Sequence, residues 1–305
     1  MFKNYTKMER KQFKFVAMML FFPILQFLIF YVYINASSFV LAFTNIDGRF
    51  SLDNFKEVLT ELKEPSRMNL MNSLIRSVIT WAGNLFIVFP VCILFSYALY
   101  KKVKGANIFR VLFYMPGMIG SVVMTTMYRY MLDGVLLDVF YKWGWVSKEI
   151  YQSGFFYGDV SFKSVFIYGM WIGVGSHLVV LTGALTRIPE EVLESAKLDG
   201  VGFFREFFQI ALPLIWPTVS TLIIYQLGII FTADSGTYLL TGVWNDRAST
   251  GNYYLFNYVY EMTNSGNMNG AYYPATVGVI ITVLTVPFVL IVRHFLEKHT
   301  DSVEY

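Results

Sequence analysis

Residues 164–186 read SVFIYGMWIGVGSHLVVLTGALT, twenty-three positions without Asp, Glu, Lys or Arg. The chain then turns abruptly polar, as Arg187-Ile-Pro189-Glu-Glu-Val-Leu-Glu194-Ser-Ala-Lys-Leu-Asp199-Gly200, before charge disappears again from 207 to 233. A bilayer-spanning helix needs about 17–25 mostly apolar residues, and both flanks are long enough. The charged insert therefore belongs at a membrane face, between two spans.

The pattern continues outward in both directions. Charge-free runs also cover 15–46, 77–100, 111–128 and 262–292, so six such runs hold half of the 305 residues. Charged residues make up 15% of the chain and mean hydropathy is +0.50, whereas soluble domains carry about 25% charge. A soluble globular protein, a disordered protein and a lone secreted domain are all excluded. Cys92 is the only cysteine, which rules out an intrachain disulfide or a Cys-based zinc site. Three histidines, His177, His294 and His299, are too few for a histidine-rich metal site, and a net charge of +3 gives no argument for nucleic acid.

The expected architecture is an all-α integral membrane protein with six spans, over about 15–41, 74–100, 109–132, 164–186, 212–234 and 272–293. A cytoplasmic N-terminal tail over 1–14 precedes this 15–296 membrane domain, a loop over 187–211 joins the fourth and fifth spans, and a cytoplasmic tail over 297–305 follows. The basic N-terminal stretch before an apolar run resembles a signal peptide, but the apolar run is too long and lacks a small-residue cleavage site. With both termini inside, fourteen Lys and Arg residues lie on the inner side against ten outside, in keeping with the positive-inside rule. The sharpest local signal is the 101–110 loop, where Lys101, Lys102, Lys104 and Arg110 meet no acid.

Seven of the nine prolines fall in the charge-free runs, which suggests kinked helices around a path rather than a straight bundle. Polar residues in the runs each need a partner away from lipid. Asn84 reads as a helix–helix hydrogen bond, whereas Ser176, His177, Gln226, Thr232 and Asp234 as a set read as the lining of a polar cavity. The segments 47–76, 129–163 and 234–261 are rich in Tyr, Trp, Asn and Gly. A headgroup-level aromatic belt accounts for most of them, with a docking surface for an external protein as the alternative.

The insert itself reads as a short helix. Pro189 suits the first helical position, Glu190 and Glu191 place negative charge at the positive end of the helix dipole, and Gly200 is a natural stop. Leu193, Ala196 and Gly200 recur on one face, while Glu190, Glu194 and Lys197 form a polar one. Ser195 and Ala196 are small enough to admit another surface. An acidic polar face argues against a helix lying on an anionic inner leaflet.

At this point the chain resembles a known family. Glu194-Ser-Ala, three residues, Gly200, nine residues, then Ile210-x-Leu212-Pro213 looks like the EAA motif of permease subunits of binding-protein-dependent ABC importers, with Ser195 in place of the first alanine. Ile188-Pro189 and Asp199-Gly200 resemble the carbohydrate-uptake branch, the maltose and glycerol-phosphate type. Ser51 to Phe55, Asn72-Ser73, Phe109 to Pro116, Ser121 to Val123, Trp171 with Gly175, and Tyr258-Val-Tyr260 resemble further family segments in the right order. The family's Gly-Gly-Pro after the fifth span is replaced by Thr241-Gly242-Val-Trp-Asn245-Asp246, and Ser176-His177 replace its usual aromatic pattern.

The resemblance implies a six-span, type I (MetI-like) importer permease fold with a cytoplasmic coupling helix between the fourth and fifth spans. It implies a sugar or oligosaccharide importer in a bacterial plasma membrane, fed by an extracytoplasmic solute-binding protein, with a second homologous permease completing the path. Two cytoplasmic ATP-binding subunits would bind ATP and Mg. The present chain has no Gly-x-x-x-x-Gly-Lys-[Ser/Thr], so it would bind no cofactor and would not be an enzyme itself. Glu190, Glu191, Glu194, Ser195, Ala196, Asp199 and Gly200 would engage the ATPase. Ser176, His177, Gln226, Ile230, Ala233 and Asp234 would line the substrate path. A non-sugar solute such as glycerol-phosphate, a stand-alone secondary transporter and a membrane-embedded transferase are the rival readings. The last two want membrane-buried carboxylates, an inverted repeat or an acidic metal cluster, and only Glu190, Glu191 and Glu194 cluster at all.

Overall fold

The computed structural model describes residues 7–45, 47–63, 70–242, 245–265 and 271–298, with side chains from residue 13 onward. Residues 1–6 of the expected N-terminal tail, His299 with the rest of the C-terminal tail, and Val243-Trp244 lie outside the described residues. Among the described residues the regular structure is all helical, apart from an isolated bridge between Thr44 and Phe50. Two compact units are formed, Met1–Thr60 with Glu261–Ile280, and Glu61–Tyr260 with Ile281–Tyr305.

In the first unit, α1 (Phe13–Ala42) is a 30-residue apolar helix whose side chains face outward along almost all its length. Outward-facing Phe, Leu and Ile on this scale are stable against lipid or another apolar protein surface. The turn after it is fixed by local polar groups. Ser51 Oγ accepts from Asp53 N at 3.0 Å at the start of α2 (Asp53–Glu61). Asn54 Nδ2 donates to the carbonyl of Thr44 at 2.8 Å, so the Ser51–Phe55 segment grips the end of α1. Thr276 Oγ1 donates to the carbonyl of Ala42 at 3.2 Å, which brings in the first turns of α13 (Tyr272–Glu297).

The second unit is built on α3 (Leu70–Tyr100), which at about 1.5 Å per residue runs for roughly 46 Å, longer than a bilayer core of about 30 Å. Its turns widen over Asn84–Val88, just ahead of Pro90, where the missing proline N–H frees a carbonyl. Helix α7 (Ser161–Leu185) crosses it. A methyl group on Gly173 would lie 2.7 Å from Asn84 Oδ1, and one on Gly175 would lie 2.7 Å from the carbonyl oxygen of Phe113. Glycine at 175 is thus what lets α7 touch the backbone of α4 (Ala106–Met118), the small-residue contact that drives helix association where lipid offers no hydrophobic contrast.

Among the described residues, four helices are long and apolar enough to cross a membrane: α1, α3, Gly158–Leu185 (α7 with its lead-in turn) and α13. Two bent pairs bring the total to as many as six. The sequence reading expects one helix over 109–132 and another over 212–234; the structure divides both. α4 meets α5 (Ser121–Lys142) at 106°, and α9 (Phe203–Leu214) meets α10 (Trp216–Gly228) at 71°. At the first break Pro116 lies in the last turn of α4 and Gly120 is extended, with ψ 139°. At the second, Pro213 and Pro217 flank Ile215, and each removes an N–H that a continuous helix would use. The segment expected to continue helically to 234 ends at Gly228.

One buried cluster joins these elements: Val88, Phe89, Cys92, Ile93 and Tyr97 of α3, Leu181, Ala184 and Leu185 of α7, and Leu193, Phe207, Ala211, Ile215 and Val219 beyond it. At the Leu70 end of α3, Ser73 Oγ donates to Ser249 Oγ and Gly251 N donates to Ser77 Oγ, both at 2.8 Å. Asn245, 8% exposed, accepts from Ala248 N and donates through Nδ2 to the carbonyl of Phe156 at 2.9 Å, while its own N–H donates to Tyr253 Oη. A single amide therefore ties two connecting segments together, in the stretch that departs from the family text.

Candidate functional site

Two features draw together the residues singled out from the sequence. The first is a cavity of about 430 Å³ bounded by α3, α5, α7, α10 and the segment after α10. Ser176, His177, Gln226, Ile230, Ala233 and Asp234 all line it. Helix α7 presents Ser176 and His177 together, with Ser176 Oγ donating to its own helix at the carbonyl of Gly173, 3.0 Å away. The His177 ring meets Phe89 edge-on, with centroids 5.5 Å apart. Gln226 is 4% exposed, and its Nε2 has no hydrogen-bond partner among the described residues. Asp234 follows the end of α10, and its Oδ1 accepts from Gly236 N at 2.8 Å, which fixes one carboxylate oxygen in a turn. Thr232, grouped with these from its sequence position, does not line the cavity.

The lining also includes residues that the sequence reading did not bring to the site. Asn84, read as a helix–helix hydrogen bond, donates through Nδ2 to the carbonyl of Thr80 in its own helix at 3.0 Å and lines the cavity. Trp81, Tyr168 and Tyr225 add aromatic surface, and Ser77, Thr80, Ser121 and Thr125 add hydroxyls. A signal existed: Ser73, Ser77, Thr80 and Asn84 recur at helical spacing on one face of an apolar run. That stripe marks a polar face but not what it faces.

The second feature is the loop between α7 and α10. Helix α8 (Glu190–Leu198) starts after Pro189, whose ψ of 134° makes it the residue before the helix rather than the first helical one. Gly200 ends it at φ +70°, with Gly200 N donating to the carbonyl of Lys197 and Val201 N to that of Ala196, both at 3.1 Å. Those two bonds are the Schellman closure, which requires the left-handed conformation that glycine adopts without strain. Glu190, Glu191, Glu194, Ser195, Asp199 and Gly200 are exposed. Ala196, expected to admit a partner, is 4% exposed, and Leu193 is 7% exposed. The surface approaching Ala196 is therefore this chain's own. Gly200 does not share the buried face of Leu193 and Ala196.

The following helix, α9, reads in sequence as an amphipathic stretch leading back to the membrane. Glu206 is 3% exposed and forms an ion pair with Lys101 at 2.6 Å. The Tyr97 ring packs between Phe203 and Phe207, at 4.9 and 5.0 Å. Since Lys101 follows the last residue of α3, the α8–α9 loop lies at the opposite end of that helix from the Ser73–Ser249 contact.

Comparison with known proteins identifies the family and the fold. Residues 68–302 match the family described as binding-protein-dependent transport system inner membrane component. The multiple sugar-binding transport system permease protein MsmF of Streptococcus mutans is 26% identical over 178 residues, which is 58% of this chain and 61% of that protein. The arabinooligosaccharides transport system permease protein AraP of Bacillus subtilis is 26% identical over 276 residues, 86% of this chain and 82% of that one. A chain of a bacterial ABC transporter involved in import of the acidic polysaccharide alginate superposes with a TM-score of 0.75 at 21% identity, covering 94% of this chain and 96% of that one. The same fold was captured in complex with an alginate pentasaccharide-bound periplasmic protein. The chain is thus a multi-pass membrane protein with the ABC-importer permease fold, and it belongs to the binding-protein-dependent transport system inner membrane component family.

Proposed function

We propose that this chain is a transmembrane permease subunit of an ATP-driven importer of sugars or oligosaccharides, forming half of the translocation path. The observation that carries the reading is the geometry of α8. It is a short, capped helix with an acidic exposed face, and its Leu193 is rooted in the buried cluster that holds α3 and α7 together. A push on α8 is therefore delivered to the two helices that supply Trp81, Asn84, Ser176 and His177 to the cavity.

In this reading each bent pair counts as one span, giving six. Both termini and α8 face the cytoplasm, and the Asn245-centred segment faces outward, where a solute-binding protein would dock. Glu190, Glu191, Glu194 and Asp199 meet a cytoplasmic ATPase subunit; two such subunits bind the ATP and Mg. Leu193 and Ala196 act on the chain's own core instead. A second, homologous permease closes the other half of the path. Relatives named for arabinooligosaccharides and for multiple sugars support sugar as cargo over other solutes.

The test is co-purification. Reversing charge with Glu194→Lys should lower recovery of the ATPase subunits with this chain by about tenfold, while membrane insertion and recovery of the second permease are unchanged. ATPase recovery equal to wild type would remove α8 as the coupling element.

A further inference from the structure

The cavity has a one-signed lining. Among the described residues no Lys or Arg lines it, Asp234 supplies a carboxylate, and the imidazole of His177 is engaged edge-on by Phe89. Two of its donors are unspent: among the described residues, buried Gln226 Nε2 and Trp81 Nε1 have no hydrogen-bond partner. Buried polar groups are normally paired, so donors left open in a cavity wall are groups a ligand can satisfy. The Trp81 and Tyr225 rings add flat apolar surface of the kind that meets the C–H face of a pyranose.

We propose that this cavity selects saccharides that carry no carboxylate or phosphate, with Asp234 as the selecting residue; this rests on the import reading above. A hydroxyl both donates and accepts. It can therefore take a hydrogen bond from Trp81 or Gln226 and give one to Asp234. A uronate or phosphorylated sugar offers only acceptors at its anionic group. On this chain's side of the path it would meet the exposed carboxylate of Asp234, a like charge, and no Lys or Arg among the described lining residues to offset the water it gives up. The fold does not dictate this preference, since a chain of the same architecture belongs to a transporter involved in import of the acidic polysaccharide alginate.

Equilibrium binding to the whole importer in nanodiscs, without the binding protein, tests it. Maltotriose, arabinotriose and trigalacturonate are the probes. At least one neutral trisaccharide should bind, with trigalacturonate failing to displace it at tenfold excess. Asp234→Asn should narrow that preference about tenfold, and Trp81→Phe, which keeps a ring but removes the donor, should weaken the neutral ligand up to roughly tenfold. Trigalacturonate binding as tightly as its neutral counterparts would overturn the proposal, as would an unchanged preference in a correctly assembled Asp234→Asn complex. If no trisaccharide binds, the sugar reading falls and takes this inference with it.

Discussion

Lys101 Nζ lies 2.6 Å from Glu206 Oε1, and the two residues are 105 positions apart in the chain. Glu206 is almost completely buried and Lys101 largely so. The pair fastens the end of α3 to α9, directly after the capped helix that carries the acidic face. Beside it the Tyr97 ring is clasped by Phe203 and Phe207, so one charged and one aromatic contact hold the same joint.

Removing one partner should strand the other in a buried setting. Glu206→Leu or Lys101→Met alone is expected to cost about 3–5 kcal/mol, whereas the double replacement should recover most of that loss. Thermal unfolding of the purified complex, read as a double-mutant cycle, checks this. Additive losses would mean that the two side chains do not act as a pair.

Gly175→Ala places a methyl 2.7 Å from the Phe113 carbonyl and 3.2 Å from Gly117 N. Both atoms are backbone, so α4 must move away from α7, at about 1–3 kcal/mol. Gly183→Ala is the control, because a methyl there meets nothing within 4 Å. Unfolding midpoints should fall for the first and hold for the second.

Asn245→Ala removes the acceptor for Ala248 N and the donor to the Phe156 carbonyl. Each buried group left unpaired costs about 1–3 kcal/mol. Hydrogen exchange should accelerate in residues 154–161 and 245–253 together. Faster exchange in only one of the two segments would show that Asn245 does not link them.

Gly200→Ala forces a Cβ into the left-handed region at φ +70°, at about 1–2 kcal/mol. Transport should fall further than stability does, because the direction in which α9 leaves α8 is set by this residue. An equal fall in both would reduce Gly200 to a helix stop.

Features fixed by neighbouring residues were legible in the sequence. The charge-free runs named the membrane class, and Glu190-Glu191 with Gly200 marked both ends of α8, since helix ends are decided within a few residues. The prolines suggested kinked helices, but not that two spans break into halves bent by 106° and 71°, because a break and its angle depend on what packs against each half. The Lys101–Glu206 pair and the inward turn of Ala196 needed tertiary structure. Trp81 and Asn84 joined the cavity only once α3 met α7 and α10. Their run looked like any span with a few polar residues, and nothing local says which face meets a cavity.

The central claim is that this chain moves sugar only when partner ATPases act on α8. Its most direct measurement is uptake of a labelled trisaccharide that the importer binds into proteoliposomes of defined subunit composition, with ATP inside. Uptake should require the ATPase subunits and the binding protein, and should fall to background in Glu194→Lys although the chain still inserts. Uptake that persists with this chain and its partner permease alone, without any ATPase subunit, would contradict the account.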